Sequence, residues 1–157
     1  MTPAVEVARM SGISYRIHEY EHDPANEAYG AEAAQKLGAP EQRIFKTLVV
    51  NLDDREFVVG VIPVGAMLSM KAVAKALGGK RAKMADKADA ERTTGYVLGG
   101  VSPLGQKKRL RTVIDSSAAQ YPTIYVSAGR RGLDIELAAE DLRGLLRGSF
   151  AALCQGS

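Results

Sequence analysis

The sequence predicts a mixed α/β domain, in which helices pack on a mostly antiparallel curved sheet or partial barrel. Short β-branched segments outnumber the amphipathic helical ones. Several neighbouring strand segments are too close in sequence for a crossover helix, which indicates antiparallel pairing. The chain has no glycine fingerprint followed by an acid and no phosphate-loop lysine motif, which argues against a doubly wound nucleotide-binding fold.

The first half of the chain alternates predicted helices and strands. Thr2 can cap a first helix, Pro3 suits its first position and Gly12 ends it. Residues 14–20 alternate as a strand with one polar face. The other predicted elements are a helix over 31–37 closed by Gly38, a strand over 45–52, its hairpin partner over 57–62, a helix over 70–77 capped by Ser69, and an edge strand over 80–84.

The second half is richer in glycine turns. Asp86 is expected to cap a helix that runs to about Arg92. The further predicted elements are a brief strand over 96–98, strands over 111–115 and 123–127, a turn over 130–132, a strand over 134–137 and a last helix over 138–146. We find no repeat or linker, so residues 1–157 are expected to form one domain.

The composition is that of a globular protein with 157 residues, of which 46% are hydrophobic. No apolar run approaches the length of a membrane span, and the N-terminus lacks a hydrophobic signal core. Cys154 is the single cysteine, so an intrachain disulfide is excluded and a reducing compartment fits. A cytoplasmic location is therefore expected.

Basic residues cluster beside three glycine-containing turns. The clusters are Lys80, Arg81 and Lys83; Lys107, Lys108, Arg109 and Arg111; and Arg130 with Arg131. If these turns converge in space, they form a basic rim for the phosphates of a nucleic acid. The alternative is scattered solubilising charge.

The most distinctive segment is GGVSPLGQKKR, over residues 99–109. Three glycines and one proline within seven residues exclude the interior of a helix or of a central strand. Backbone N–H groups unshielded by side chains suit an anionic or carbonyl oxygen. The basic residues that follow indicate a substrate that is partly nucleic acid. A glycine-rich hairpin with a solvated basic tail is the alternative.

Polar side chains in apolar strands are the other candidates for chemistry. Lys46 begins an apolar strand, so its ammonium either reaches solvent or faces a cavity, where it can hold a phosphate or polarise an ester. The hydroxyls of Thr47 and Ser127 either orient a substrate or bond to local backbone. Asp134 binds an amine, braces an arginine or caps a turn, and Tyr20 can stack on a base or bind a sugar.

The chain shows neither a metal site nor a protein nucleophile. His18 and His22 are four residues apart, a metal-binding spacing only on a helix, and this segment is strand-like. Cys154 has no histidine nearby in sequence. No cofactor is expected, and an enzyme built from these residues would position and polarise a substrate while water or a substrate group attacks.

Taken together, these segments resemble the YbaK-type Cys-tRNA(Pro) deacylases, free-standing relatives of the editing domain of bacterial prolyl-tRNA synthetases. The Lys46-Thr47 pair and the loop over 99–109 are specific in combination. The resemblance covers nearly the whole chain and rests on residues 1–5, 20–24, 45–48, 71–78, 84–86, 94–96, 99–109, 123–127 and 131–137.

The resemblance implies a trans-editing hydrolase that removes cysteine from mischarged proline tRNA with help from the substrate thiol. It also implies a mixed sheet with surrounding helices, action beside prolyl-tRNA synthetase, and no metal or cofactor. The implied catalytic residues are Lys46, Gly99, Gly100 and Pro103; the implied substrate-binding residues are Tyr20, Thr47, Val101, Ser102, Ser127 and Asp134; and phosphate contacts are expected from Lys107, Lys108, Arg109, Arg130 and Arg131.

Two alternatives stay open. One is a deacylase for Ala-tRNA(Pro) or for a broader range of aminoacyl-tRNAs, which would need water as its nucleophile because alanine has no thiol. The other is a non-catalytic tRNA-binding module, which would bind in a salt-sensitive way without turnover.

Overall fold

A computed structural model describes residues 1–156, which form five α-helices and eight β-strands. The helices are α1 (Pro3–Ser11), α2 (Tyr29–Leu37), α3 (Met70–Leu77), α4 (Lys87–Thr94) and α5 (Ala139–Leu146). The strands are β1 (Tyr15–Glu19), β2 (Phe45–Leu52), β3 (Glu56–Pro63), β4 (Ala82–Met84), β5 (Thr112–Asp115), β6 (Ile124–Arg130), β7 (Leu133–Leu137) and β8 (Ser149–Ala151). Over this range no helix has the length and apolar character needed to cross a membrane.

The strands divide between two sheets instead of joining in one. One sheet has the order β1-β7-β6 and the other the order β4-β2-β3-β5-β8. Strand β3 pairs in parallel with β5, and β5 with β8, whereas the remaining pairs are antiparallel. The prediction of a mixed, mostly antiparallel α/β architecture is therefore confirmed, but the expected single sheet is not.

The two sheets face each other across the main core. Val49, Val59 and Val61 of the larger sheet belong to the same buried cluster as Val126 and Ile135 of the smaller one. A second apolar cluster lies on the other face of the larger sheet, beneath α3. The sheets meet at a parallel bridge between Ile44 and Tyr125.

Local capping explains where several helices begin and end. The Thr2 hydroxyl accepts from the Val5 N–H, and the Ser69 hydroxyl accepts from the Ala72 N–H, as their sequence positions predict. Gly12 has a φ of 79°, which confirms it as the residue that ends α1. Asp86 precedes α4, but its side chain makes no capping hydrogen bond.

The prediction of a strand over residues 96–98 is wrong. The Tyr96 ring is buried, and its hydroxyl donates to the Leu104 carbonyl at 2.7 Å. The Leu98 N–H donates to the Glu91 carboxylate at 2.8 Å. These contacts hold the segment against the glycine-rich loop and α4, and it does not pair with a strand.

Candidate active site

A cavity of about 500 Å³ lies beside the first half of β2 and collects most of the predicted site residues. Strand β2 contributes residues 45–48 to its wall, and β6 and β7 contribute Ser127 and Asp134. The other lining residues that bear on function are Tyr20, Tyr29, Leu98, Gly99, Val101 and Arg131. Lys46 and part of the glycine-rich loop thus share one cavity, as the sequence predicts.

Lys46 is half-buried at the start of β2, where it pairs with Ile62 of β3. Within residues 1–156, no carboxylate lies within salt-bridge distance of its ammonium. Burial lowers the pKa of the Lys46 side chain. The side chain therefore brings a cation without a carboxylate partner to the cavity wall, where it can bind an anionic or carbonyl oxygen.

Thr47 follows on the same strand. Its Oγ1 atom is buried and has no hydrogen-bond partner in the part of the chain that the structure describes. Leaving such a group unsatisfied costs about 1–3 kcal/mol. Thr47 also lines the cavity, so this unused hydrogen-bonding capacity lies beside it, and the alternative of a bond to local backbone is not observed.

Asp134 lies opposite Ser127 in the β6–β7 pair and is only 7% exposed. Burial raises the pKa of its carboxyl to about 7, although His18 acts in the opposite direction. The position within β7 rules out a turn cap. Ser127 accepts from the Gly129 N–H at 3.1 Å, so its hydroxyl has a local backbone partner.

Tyr20 lines the same cavity as this carboxyl. Burial, followed by the charges of Asp134 and Glu32, raises the pKa of its phenol to about 12. The phenol therefore keeps its proton across the physiological range and can donate a hydrogen bond to a ligand.

Arg131 at the rim of the cavity is held by Glu32 and Tyr29, two residues that the sequence alone did not single out. Glu32 of α2 is 1% exposed and accepts from the Arg131 side chain at 3.0 Å and from the Asp23 N–H at 2.9 Å. Burial alone would raise the pKa of Glu32, but these hydrogen bonds outweigh it and the pKa is lowered. The Arg131 guanidinium lies 3.8 Å from the centre of the Tyr29 ring. No local pattern marks either residue, because their partners are distant in sequence.

The glycine-rich loop forms a wall, and only part of it reaches the cavity. Gly99 and Val101 line the cavity. The Gly100 N–H donates to the Val97 carbonyl at 2.9 Å, so the expected free donor at this position is already used. Ser102 and Pro103 are buried behind the wall, and the Ser102 hydroxyl accepts from the Leu104 N–H.

Residues 22–145 match the aminoacyl-tRNA editing domain family. The chain belongs to this family. An Enterococcus faecalis relative whose name proposes a Cys-tRNA(Pro)/Cys-tRNA(Cys) deacylase, EbsC, is 42% identical over 153 residues, which cover 97% of this chain and 92% of the relative.

Solved structures share the fold of this editing domain at low sequence identity. One, described as a proposed trans-editing enzyme for prolyl-tRNA synthetase, has a TM-score of 0.83 at 22% identity and covers 99% of both chains. The hypothetical protein APE2540 has a TM-score of 0.87 at 24% identity, with 98% of this chain and 99% of the other covered.

The basic clusters of the editing domain do not converge on the cavity, contrary to expectation. Arg131 lines the cavity, whereas Arg130 pairs with Glu19 at the surface. The other two clusters line two neighbouring depressions, of about 330 and 610 Å³, which share Asn51, Asp54 and Arg55. Lys108, Arg109 and Arg111 line the first, and Lys80, Arg81 and Lys83 line the second.

These depressions lie toward the far end of β2. Asn51 is five residues beyond Lys46, which corresponds to about 17 Å along an extended strand. Lys107, which precedes Lys108 in the chain, is exposed to solvent. Its N–H donates to the Thr94 carbonyl at the end of α4. The charge that accompanies the glycine-rich loop is thus displaced from the cavity.

The two histidines have no metal-binding arrangement. His18 lies 2.8 Å from the Glu136 carboxylate, and His22 lies 3.8 Å from Glu32. Among residues 1–156, no group of three or more His, Cys, Asp or Glu side chains is placed to hold a metal ion.

Proposed function

We propose that this protein is a trans-editing hydrolase that removes cysteine from mischarged Cys-tRNA(Pro) in the cytoplasm and so protects the fidelity of translation. The observation that carries the proposal is the shared cavity of Lys46 and the glycine-rich wall, with Thr47 and Asp134 beside them. Its volume is within the range that small ligands and cofactors occupy in proteins. Membership of the editing family and the name of the Enterococcus relative support the same activity.

The cavity offers a complementary group for each part of an aminoacyl-adenosine. The Asp134 carboxylate pairs with the α-ammonium of the amino acid. Lys46 binds the ester or the terminal phosphate, and the Tyr20 phenol donates to the ribose or the base. Phosphates elsewhere in the tRNA are held by the basic residues Lys107, Lys108, Arg109, Arg130 and Arg131.

The substrate supplies the nucleophile in the proposed reaction. The cysteine thiol attacks its own ester carbonyl carbon, the bond from this carbon to the ribose oxygen breaks, and the thiol proton passes to that oxygen. Water then opens the resulting thiolactone to free cysteine. Burial, together with Asp115, raises the pKa of the protein's own Cys154 to about 11, so this residue stays a thiol at neutral pH.

Hydrolysis of a panel of aminoacyl-tRNAs tests the proposal. We expect Cys-tRNA(Pro) to be hydrolysed faster than Ser-tRNA(Pro) and Ala-tRNA(Pro). Fastest turnover of Ala-tRNA(Pro) would instead indicate water as the nucleophile, and salt-sensitive binding without any turnover would indicate a binding module.

The panel is repeated with Cys-tRNA(Cys) and with added prolyl-tRNA synthetase. We propose that the synthetase acts as a partner that selects the tRNA. The preference for Cys-tRNA(Pro) over Cys-tRNA(Cys) should therefore increase when the synthetase is present.

Replacement of Lys46 tests the proposed mechanism with a single substitution. Lys46→Ala should reduce kcat/KM for Cys-tRNA(Pro) on the order of 10²–10³-fold, the usual cost of removing one group that stabilises developing charge. Lys71→Ala, on the exposed face of α3, is the matched control and should retain full activity. Full activity of the Lys46 variant would remove this residue from the mechanism.

A further inference from the structure

Strand β2 has an edge without a partner strand where it borders the cavity. Strand β3 pairs with β2 over residues 45–52, whereas β4 pairs on the other side only over residues 50–52. Strand β6 bridges this side only at Ile44, one residue before β2 begins. Between these two contacts, the edge of β2 is not paired by a strand.

The direction of the backbone groups along this edge follows from two hydrogen bonds. The Val49 carbonyl accepts from the Ala85 N–H at 3.0 Å, on the side away from β3. The Ile44 carbonyl accepts from the Val64 N–H at 2.8 Å, on the side of β3. Because successive residues of a strand point their backbone groups to opposite sides, the N–H and C=O of Thr47 point the same way as those of Val49, toward the unpaired edge.

Thr47 is also one of the residues that line the cavity. The Gly100 N–H, one of the expected donors of the glycine-rich loop, is already bonded to the Val97 carbonyl. The unpaired edge therefore offers a main-chain donor that the loop does not supply at Gly100.

We propose that the main-chain N–H of Thr47 donates a hydrogen bond to the carbonyl oxygen of the bound aminoacyl ester. This inference rests on the proposed function and adds a catalytic contact to it. The carbonyl oxygen gains negative charge when the thiol attacks the carbonyl carbon. A donor held in a sheet needs no reorganisation at that moment, which is what makes such donors effective.

An amide-to-ester substitution tests this contact. The α-hydroxy acid analogue of threonine at position 47 replaces the N–H by oxygen and keeps the side chain. We expect kcat for Cys-tRNA(Pro) to fall on the order of 10²-fold. Thr47→Val, which keeps the N–H, measures the contribution of the hydroxyl separately. An unchanged kcat in the ester variant would overturn the proposal.

Ile17 provides a matched control for the ester. It lies on β1, at the edge of the smaller sheet, and is 39% exposed. The Tyr20 N–H bonds to the Gly132 carbonyl beside β7, so the Ile17 N–H has the opposite direction and points outward from the edge. An ester at Ile17 weakens the preceding carbonyl as an acceptor just as the ester at Thr47 does, yet it should leave kcat unchanged.

Nuclear magnetic resonance of the uniformly labelled protein gives a second readout that does not depend on turnover. In the free protein, the Thr47 amide should exchange with solvent faster than the amides of Lys46 and Leu48, which face β3. Its resonance should shift when cysteinyl-adenosine with an amide in place of the ester is added. Protection equal to that of its neighbours, or an unshifted resonance at saturating analogue, would contradict the proposal.

Absence of the deacylase activity and absence of the Thr47 contact give different experimental results. If the wild-type protein releases cysteine from no tRNA, the proposed function fails, and the analogue titration still decides whether Thr47 contacts an aminoacyl carbonyl. If the wild type is active and the Thr47 ester variant equals it, only the role of the Thr47 N–H is lost.

Discussion

The buried Asp134 carboxyl is expected to make ligand binding depend on pH. It is buried between two strands, and its pKa is raised to about 7. Near neutral pH the carboxyl is therefore divided between a neutral form, which burial favours, and an anion, which an ammonium ligand favours. If Asp134 binds the α-ammonium as proposed, a small change in pH should shift this balance and with it the affinity for an aminoacyl group.

Asp134→Asn should abolish a pH dependence that we expect of the wild type. As pH rises through about 7, ionisation of Asp134 should increase kcat/KM for Cys-tRNA(Pro), and the asparagine variant should lack this rise and have a higher KM. A pH–rate profile of both proteins checks this. A rising limb of equal size in the variant would assign it to another group.

The Asp134 carboxyl should also make the stability of the fold depend on pH. The unfolded-state pKa of aspartate is about 3.9, so between about pH 4 and the folded-state pKa of about 7 the unfolded chain releases a proton that the folded one retains. The free energy of unfolding should therefore fall as pH rises through this window, by up to about 1.4 kcal/mol per pH unit. Asp134→Asn should remove this slope, which denaturant titration at several pH values measures.

At the scale of elements, the glycine-rich loop and the β6–β7 turn support each other. A Cβ atom at Gly100 would lie 2.7 Å from the Arg130 Cα and 3.1 Å from the Arg131 nitrogen. Backbone atoms of the turn therefore fill the space that a side chain would need. This close approach keeps the Gly99–Val101 wall beside Arg131 at the rim of the cavity.

Gly100→Ala should therefore reduce both stability and activity. Relief of the contact requires movement of the loop or the turn, at a cost of about 1–3 kcal/mol, or about 2–4 °C of Tm for each kcal/mol. Displacement of the cavity wall should lower kcat/KM as well. Thermal unfolding and Cys-tRNA(Pro) hydrolysis measure the two effects.

Gly144→Ala is the control for this substitution. Gly144 lies in α5, and an added Cβ atom would meet nothing within 4 Å. Alanine should stabilise the helix by about 0.5–1 kcal/mol and leave activity unchanged. If Gly100→Ala behaved in the same way, the close packing of loop and turn would not be essential.

At the scale of the whole molecule, the cavity and much of the positive charge occupy different parts of β2. The cavity borders the start of the strand, whereas the depressions lined by basic side chains lie around Asn51. Since a tRNA is much longer than its aminoacylated end, the two regions can serve one ligand. The surface near Asn51 would then hold phosphates while the cavity holds the ester.

The triple variant Lys107→Ala, Lys108→Ala and Arg109→Ala tests this division. It should weaken tRNA binding, raise KM and leave kcat nearly unchanged, and it should reduce the slope of log affinity against log salt by about 2–3. Binding measured at several salt concentrations checks the slope.

A control triple variant, Lys36→Ala, Lys71→Ala and Lys75→Ala, removes the same charge from exposed positions on α2 and α3. It should keep most of the wild-type slope. Equal slopes in the two triple variants would show that net charge matters and that the position of the three basic residues does not.

Signals that act over a few residues predicted most of the local elements correctly, although Asp86 makes no capping hydrogen bond. Thr2 and Ser69 cap their helices and Gly12 ends α1, because a capping hydrogen bond or a left-handed backbone involves neighbours in the chain. The same reasoning failed for residues 96–98. There, contacts of Tyr96 and Leu98 with Leu104 and Glu91 outweigh the local preference for a strand.

The sequence by itself determined the mixed α/β class, most of the helix and strand positions and, through the Lys46-Thr47 pair and the glycine-rich loop, several of the residues that line the cavity. Only the tertiary structure decided that the strands form two sheets, that Glu32 orders Arg131, that the Gly100 N–H is already bonded, and that the basic clusters leave the cavity. The physical reason is range: capping and turn formation are settled between neighbouring residues, whereas strand pairing, burial of a charge and the orientation of a free N–H depend on residues that folding brings together.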